Sequence, residues 1–205
     1  MRIALLVEGK TETAFLPCLR DYLKPRLAGR MPKLDPTPYD GRIPTEGKLR
    51  RVVEHLLNDA SKPATHVIAL TDVYTGTQPA VFGSADDAKA KMRRWVGDNV
   101  RFHPHVALHD FEAWLLPYWP AIQKLAGHNR AAPGGNPEAV NHANPPANRI
   151  REIFRIGTCR DGYVKPRDAR RILRGSDLSV AIAQCAEFKA FVNTILTVCR
   201  GEAIP

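Results

Sequence analysis

Short apolar runs, each ending in a polar residue, alternate with longer amphipathic segments over the first 110 residues. Four such runs predict β-strands, over residues 2–7, 33–39, 66–71 and 101–108. Between them, apolar side chains recur every three or four residues, which predicts helices that begin near Thr11, Glu46 and Ser84. Strands and helices that alternate in this way are typical of an open α/β fold with a mainly parallel sheet.

The chain changes character after residue 119. Residues 127–147 are rich in proline and glycine, and a loop of this length usually carries a function or lacks fixed structure. Helical spacing then returns and predicts four helices, roughly over residues 147–155, 166–174, 177–185 and 187–199. We therefore expect an α/β core over residues 1–119, and a loop with a helical C-terminal extension, packed on the core, over residues 120–205.

The composition fits a globular protein without a membrane segment. Apolar residues make up 44% of the 205, and no apolar run approaches the roughly 18–20 residues that a membrane helix needs. Only five apolar residues, 3–7, precede Glu8, so the start of the chain does not resemble a signal peptide. The four cysteines form no CxxC pair, which favours reduced thiols. We expect a cytoplasmic protein that does not associate with membranes.

The charge balance points to an anionic partner. The formal net charge is +9, and arginines are concentrated in the last third of the chain. A basic surface attracts phosphates and speeds encounters with polyanions, so DNA or RNA is the expected partner. The alternative is a basic surface that is merely solvated.

Acidic side chains follow three of the four predicted strands, although only 21 of the 205 residues are acidic. These strand-end acids are Glu8, Glu12, Asp72, Asp110 and Glu112. Ligands in open α/β sheets bind beyond the carboxyl ends of the strands, where crowded carboxylates repel one another unless a cation neutralises them. Oxygen-rich sites suit Mg²⁺ or Mn²⁺, which can activate water and stabilise charge on a phosphoryl group. The alternative is that the glutamates cap a helix and the aspartate belongs to a turn.

The same segments offer residues for two other kinds of site. The Gly-Lys-Thr at residues 9–11 could end a phosphate-binding P-loop, but the glycine required five residues earlier is Ala4, inside the first strand. Without that glycine-rich loop, backbone amides cannot surround a phosphate, so we reject this site. A zinc site formed by His103 and His105 with Glu112 remains an alternative.

Basic side chains near these acids are candidates for binding phosphate. Lys165 precedes a basic helix, and a lysine near a metal site can offset negative charge on a reacting phosphoryl group. The candidates for contact with phosphate or nucleic acid are Lys10, His109, Arg167, Arg170 and Arg171. The alternative is an ordinary exposed basic helix.

Three motifs together resemble a known family. They are "VEGKTE" (7–12), "TDVYTGTQP" (71–79) and "HDFEAWLL" (109–116), and the pair Tyr163 and Lys165 fits as well. The first motif resembles that of the Toprim fold, which topoisomerases, primases and nucleases of the overcoming-lysogenization-defect (OLD) class share. The combination resembles a prokaryotic family of Toprim-like proteins, domain-of-unknown-function family 4276 (DUF4276).

This resemblance implies a Rossmann-like Toprim core and a divalent-metal site at Glu8, Glu12 and Asp72, completed by Asp110 or Glu112. It also implies nuclease-like chemistry on phosphodiesters, and it suggests an ATPase partner and a role in phage defence. The usual Toprim Asp-x-Asp motif is replaced here by Asp-Val-Tyr at residues 72–74. Tyrosine is a poor ligand for Mg²⁺, so another acid supplies the missing oxygen, the site holds one metal ion, or catalysis is absent.

The leading hypothesis is a metal-dependent nuclease that uses Mg²⁺ or Mn²⁺. Its expected catalytic residues are Glu8, Glu12, Asp72, Glu112 and Lys165. Its expected metal ligands are Glu8, Asp72, Asp110 and Glu112. The alternative is a non-catalytic Toprim-like module that binds nucleic acid or protein, which Tyr74 favours. A phosphotransfer enzyme acting on small molecules would need a nucleotide pocket that no segment of the sequence indicates.

Overall fold

The computed structural model describes residues 1–39, 41–73, 81–139 and 144–205. Within these residues the sheet has four strands: β1 (Arg2–Val7), β2 (Lys33–Pro38), β3 (His66–Val73) and β4 (Phe102–Leu108). The strand order is β2-β1-β3-β4, and every neighbouring pair is parallel. The predicted strands and the predicted α/β fold with a parallel sheet are therefore confirmed.

The helices that connect the strands lie on both faces of the sheet. They are α1 (Lys10–Leu23), α2 (Glu46–Asn58) and α3 (Ala85–Val96). Alternate residues of β1 pack on opposite faces: Leu5 belongs to the core under α1, and Leu6 belongs to the core under α2 and α3. From β1 the chain continues to β2 on one side of the sheet, and from β3 it continues to β4 on the other side. The topological switch point, where ligands bind in open α/β sheets, therefore lies between β1 and β3.

The C-terminal half is helical, as predicted. A 3₁₀ helix (Phe111–Tyr118) precedes α4 (Trp119–Ala126), and a 3₁₀ turn (Pro137–Ala139) precedes α5 (Pro146–Ile156), α6 (Lys165–Leu173), α7 (Ser179–Gln184) and α8 (Ala186–Val198). The last four match the predicted helices. The prediction missed α4, because Pro117 and Pro120 look like helix breakers. Pro120 lies in the first turn of α4, where its missing N–H is not needed.

One core joins the α1 face of the sheet to the C-terminal helices. It contains Leu5 and Phe15 from the first part of the chain, and Phe188 and Ile195 from α8. The boundary after residue 119 between an α/β core and a C-terminal extension remains a prediction.

Among the described segments there is no helix with the length and apolar character that a membrane crossing needs.

Helix starts were predicted with mixed success. Ser84 opens α3 as expected, since its hydroxyl oxygen accepts a hydrogen bond from the Asp87 amide at 3.1 Å. Thr11, near which the first helix was predicted to begin, does not cap it, because α1 already begins at Lys10 and Gly9 is in the cap position. The carboxylates of residues 8 and 12 are therefore separated by a very short connection between strand and helix.

Candidate functional site

A cleft of about 350 Å³ lies at the carboxyl ends of β1 and β3, at the switch point of the sheet. The charged side chains of the described residues that line it are Glu8, Lys10, Glu12, Asp72, Glu112 and Lys165. Acids that follow three different strands are thus brought together in one place, as their positions in the sequence led us to expect. Asp110 lies near this group without lining the cleft.

The register of β1 against β3 fixes the position of Glu8. Val7 pairs with Leu70, so Glu8 lies opposite Thr71. One carboxylate oxygen of Glu8 accepts hydrogen bonds from the Thr71 hydroxyl and from the Asp72 amide, the latter at 3.2 Å. Burial raises the pKa of Glu8 to about 7, although both hydrogen bonds act in the opposite direction. The sequence analysis assigned no role to Thr71, because its position opposite Glu8 depends on the register of two strands that are distant in the sequence.

Asp72 and Glu12 share the same unfavourable environment. Burial raises the pKa of Asp72 well above its usual value, and the charges of Glu8, Glu12, Asp110 and Glu112 raise it further. Glu12 lies in the first turn of α1 and is only 6% exposed. Burial also raises the pKa of Glu12, with a contribution from Glu112. Burial and the neighbouring negative charges therefore both disfavour ionisation of Asp72 and Glu12.

Among the described residues, Asp110 is the one buried acid with an oxygen that lacks a hydrogen-bond partner. It directly precedes the 3₁₀ helix and is 1% exposed. Its Oδ2 accepts a hydrogen bond from the Ala147 amide of α5 at 3.1 Å, whereas Oδ1 has no hydrogen-bond partner among the described residues. Burial raises the pKa of Asp110 to about 7, and the charge of Glu112 contributes. Buried polar atoms are rarely left unpaired, so this oxygen is a candidate ligand for a cation.

Glu112 lines the cleft with a buried side chain, and both of its carboxylate oxygens accept hydrogen bonds. Lys165 donates to Oε2 at 3.0 Å, and the Tyr163 hydroxyl donates to Oε1 at 3.3 Å. The packing of α6 against α1 brings the first residue of α6, Lys165, to this position. Burial disfavours the Lys165 ammonium, but the nearby carboxylates, led by Glu112, outweigh this effect and raise the pKa of Lys165.

The sequence matches the family model described as "Domain of unknown function (DUF4276)" over residues 7–196. The chain belongs to the DUF4276 family. Two solved structures share its fold at 14% sequence identity, both C-terminal regions of OLD proteins. That of Burkholderia pseudomallei has a TM-score of 0.57 and covers 97% of this chain and 98% of its own. The region from Xanthomonas campestris pv. campestris has a TM-score of 0.51, and the match covers 97% of this chain and 96% of that region. No curated protein matches the sequence.

The predicted phosphate contacts of this DUF4276 protein lie in different surroundings. Lys10 is exposed at the rim of the cleft. Arg167 and Arg171 both donate to the buried carboxylate of Asp168, at 2.9 and 3.2 Å. Arg170 lines a neighbouring groove together with Lys10. Their contact with nucleic acid remains a prediction.

His109, the remaining candidate for phosphate contact, is buried rather than presented to solvent. It follows β4 with a left-handed backbone, φ 69°, and its side chain is 4% exposed. Its amide donates to the Val73 carbonyl at 3.1 Å, which joins the ends of β3 and β4. A contact between His109 and phosphate therefore remains a prediction that requires access to a buried side chain.

Two cations near the acids were not identified from the sequence. Arg42 lowers the pKa of Glu8, and Arg151 lowers the pKa of Asp110, although in both cases burial dominates. Both arginines are exposed. Neither belongs to one of the three motifs, and both lie far along the chain from the acid they affect. Their proximity therefore had no signal in the sequence.

The donor atoms of this site suit a divalent metal ion, but the side chains do not form a complete set of ligands as they are placed. Within the described residues, no three His, Cys, Asp or Glu side chains are grouped closely enough to hold one ion. The zinc alternative finds no support, since His103 contacts His66 at 3.1 Å and His105 contacts Thr194 at 2.9 Å. Carboxylate oxygens with raised pKa values fit a hard divalent cation, provided that side chains rotate towards it. Tyr74 lies outside the described residues.

Proposed function

We propose that this protein is a divalent-metal-dependent nuclease that hydrolyses phosphodiester bonds of DNA or RNA. The observation that carries the proposal is the cleft in which Glu8, Glu12, Asp72 and Glu112 meet Lys165, in a chain of net charge +9. The family motifs and the fold shared with C-terminal regions of OLD proteins support it. An ATPase partner and a role in phage defence, which the motif resemblance suggests, belong to the same proposal.

The acids would hold Mg²⁺ or Mn²⁺, with Glu8, Asp72, Asp110 and Glu112 as the candidate ligands. Oxygen-only donor sets of this kind suit these ions, and the unpaired Oδ1 of Asp110 adds a free acceptor. When bound, such an ion neutralises charge on a phosphoryl group and lowers the pKa of a water molecule. It would also offset the burial and the neighbouring negative charges that raise the pKa of Glu8 and Asp72.

Other residues of the chain would orient the Glu8 carboxylate and neutralise negative charge on the phosphate. The Thr71 hydroxyl and the Asp72 amide fix one oxygen of Glu8 and so direct its carboxylate towards the cleft. Lys165 lines the cleft and is held by Glu112, so its ammonium would offset the negative charge that develops on the phosphoryl group. Lys10, exposed at the rim, would attract the phosphate of an incoming strand.

The test is cleavage of linear DNA and RNA by the wild type and by Glu8→Gln, with Mg²⁺ or Mn²⁺. Glutamine keeps an oxygen acceptor for Thr71 but removes the negative charge, so we expect a loss of roughly 100-fold or more. Glu202→Gln removes the same charge from the exposed C-terminal tail and should behave as wild type. Equal rates for Glu8→Gln and wild type, or no cleavage by the wild type with either ion, would contradict the proposal.

A second candidate is a non-catalytic module that binds nucleic acid or protein. It is favoured by the absence of a three-ligand group in the described residues, and by the partners that Glu8 and Glu112 already have. In this case the acids would only stabilise the end of the sheet. Calorimetric titration with Mn²⁺ separates the two candidates, since the nuclease predicts binding that Glu8→Gln weakens and the module predicts none above background.

A further inference from the structure

A second groove, of about 340 Å³, opens beside the acidic cleft, and Lys10 lines both. We refer to it as the Lys10–Arg170 groove. Its lining is Lys10, Thr13, Ala14, Pro17, Pro38 and Arg170. The four residues from α1 are spaced i, i+3, i+4 and i+7, so they form one face of that helix. The groove therefore extends from the acidic cleft along α1, between the end of β2 and the outer surface of α6.

The groove carries two positive charges, and none of the described residues that line it is acidic. Within the described parts of the chain, neither Lys10 nor Arg170 forms an ion pair with a carboxylate. This distinguishes Arg170 from its neighbours Arg167 and Arg171, which are both paired with Asp168. An ammonium and a guanidinium that are not held in an ion pair with a described carboxylate are well suited to bind a phosphate.

The rest of the lining fits the other parts of a nucleotide. Ala14, Pro17 and Pro38 give the groove apolar walls against which a sugar or a base can pack. The volume lies at the lower end of the range of roughly 300–1,000 Å³ that is typical of small-ligand pockets. The groove is therefore of a size for one nucleotide unit of a single strand.

We propose that the Lys10–Arg170 groove is a subsite for the nucleotide adjacent to the one whose phosphodiester lies in the acidic cleft, with Lys10 and Arg170 contacting its phosphate. The inference rests on the proposed function, because that function identifies the ligand as a DNA or RNA strand. It adds a direction, since the strand would run from the cleft along α1. It also assigns a role to Arg170 alone among the three arginines at positions 167, 170 and 171.

The test is strand binding in EDTA, where no cleavage interferes. Binding of a labelled single-stranded 12-mer, as DNA and as RNA, is measured by fluorescence anisotropy for wild type, Lys10→Ala and Arg170→Ala. We expect each variant to weaken binding roughly tenfold. Each should also reduce the slope of log K against log salt concentration by about 0.7, the value for one contact with a single strand.

The matched control is Arg101→Ala, which changes the net charge equally. Arg101 is exposed and directly precedes β4, so it lies at the opposite end of the sheet, roughly 20 Å from the cleft. It should bind as wild type does. Groove variants that bind no worse than Arg101→Ala would overturn the subsite, and so would a wild type that binds neither strand. Competition by a mononucleotide as strong as that by the 12-mer would also overturn it.

Cleavage assays keep this inference separate from the proposed function. Weak binding by the groove variants, together with a wild type that cleaves nothing, would support the subsite and contradict the nuclease. Normal cleavage by the wild type, together with groove variants that bind like Arg101→Ala, would contradict the subsite alone. If the wild type cleaves, Arg170→Ala should raise KM and leave kcat unchanged, because the groove would bind ground state and transition state equally.

Discussion

Glu8 is held in place by bonds to its carboxylate, yet its burial opposes the charge of that carboxylate. The pKa of Glu8 is raised from 4.5 to about 7 on folding. Between these pH values the folded protein binds more protons at Glu8 than the unfolded chain does, so the stability falls as the pH rises through this window. Above about pH 7, the full penalty of an ionised Glu8 is present.

Glu8→Gln should therefore be more stable than wild type at pH 8 in EDTA, by about 1–3 kcal/mol, since one pKa unit corresponds to about 1.4 kcal/mol. The advantage should vanish near pH 4, where Glu8 is protonated in both states. Urea unfolding at the two pH values measures the difference, with Glu202→Gln as the control. A Glu8→Gln variant that is less stable at pH 8 would show that the charge on Glu8 strengthens its bonds to Thr71 and Asp72 enough to outweigh burial.

The acids of the candidate site could be found from the sequence because each lies within a few residues of the end of an apolar run that forms a strand. The residues that hydrogen-bond to these acids or pair with them could not be found from the sequence. The bond between Glu8 and Thr71 depends on the register of two strands 63 positions apart. The ion pair between Glu112 and Lys165 spans 53 positions and depends on how α6 packs against α1. Sequence position thus identified the chemical groups, whereas the local charge balance is a property of packing.

Among the elements, α8 depends on a buried acid from outside the helix. Glu138 Oε2 accepts a hydrogen bond from the Glu187 amide at 3.1 Å, and Oε1 accepts one from the Phe188 amide at 3.3 Å. The Trp114 indole N–H also donates to Oε1, at 3.1 Å. The first amides of a helix have no partner within the helix, and the N-cap Cys185 supplies no side-chain bond. Glu138 therefore joins the 3₁₀ turn before α5 to the start of α8.

Glu138→Ala should destabilise the protein by about 2–4 kcal/mol, because it leaves two helix amides and an indole N–H buried without acceptors. Glu138→Gln should cost less, since one amide oxygen still accepts. Chemical denaturation measures both, and Glu54→Ala is the control. Glu54 is exposed, and its one ion pair within the described residues is with Arg50, one turn away, so its loss should change the stability by less than about 0.5 kcal/mol. Equal losses for Glu138→Ala and Glu54→Ala would contradict this role of Glu138.

The helices that the sequence predicted well have one polar and one apolar face, and α3 also has a capping serine. The 3₁₀ helix Phe111–Tyr118 lacks such a pattern, because almost every one of its side chains is buried. Continuous burial removes the periodicity on which helix prediction depends, and Pro117 adds a misleading break. This element could be predicted as core but not as helix, although it positions Glu112.

At the scale of the whole molecule, the two predicted parts of the chain are joined on both sides of the sheet. The core under α1 contains side chains from β1 and from α8. On the other side, Lys89 of α3 is paired with Glu187 of α8 at 2.9 Å. Removing residues 120–205 would expose to water the part of the core on the α1 face that the C-terminal helices cover. The stability of the N-terminal part is therefore coupled to that of the C-terminal helices.

The protein should accordingly unfold in a single cooperative transition. Trp95 packs in the layer of α2 and α3, whereas Trp114 and Trp119 lie in the core on the other face, so tryptophan fluorescence can report on each layer. In Trp95→Phe the fluorescence comes only from the second layer, and its midpoint in urea should coincide with that of far-UV circular dichroism, which follows all helices. The wild type, which adds the signal of Trp95, should give the same midpoint. Two separate midpoints would contradict a single cooperative transition, because the layer of α2 and α3 would then unfold separately from the core that contains the C-terminal helices.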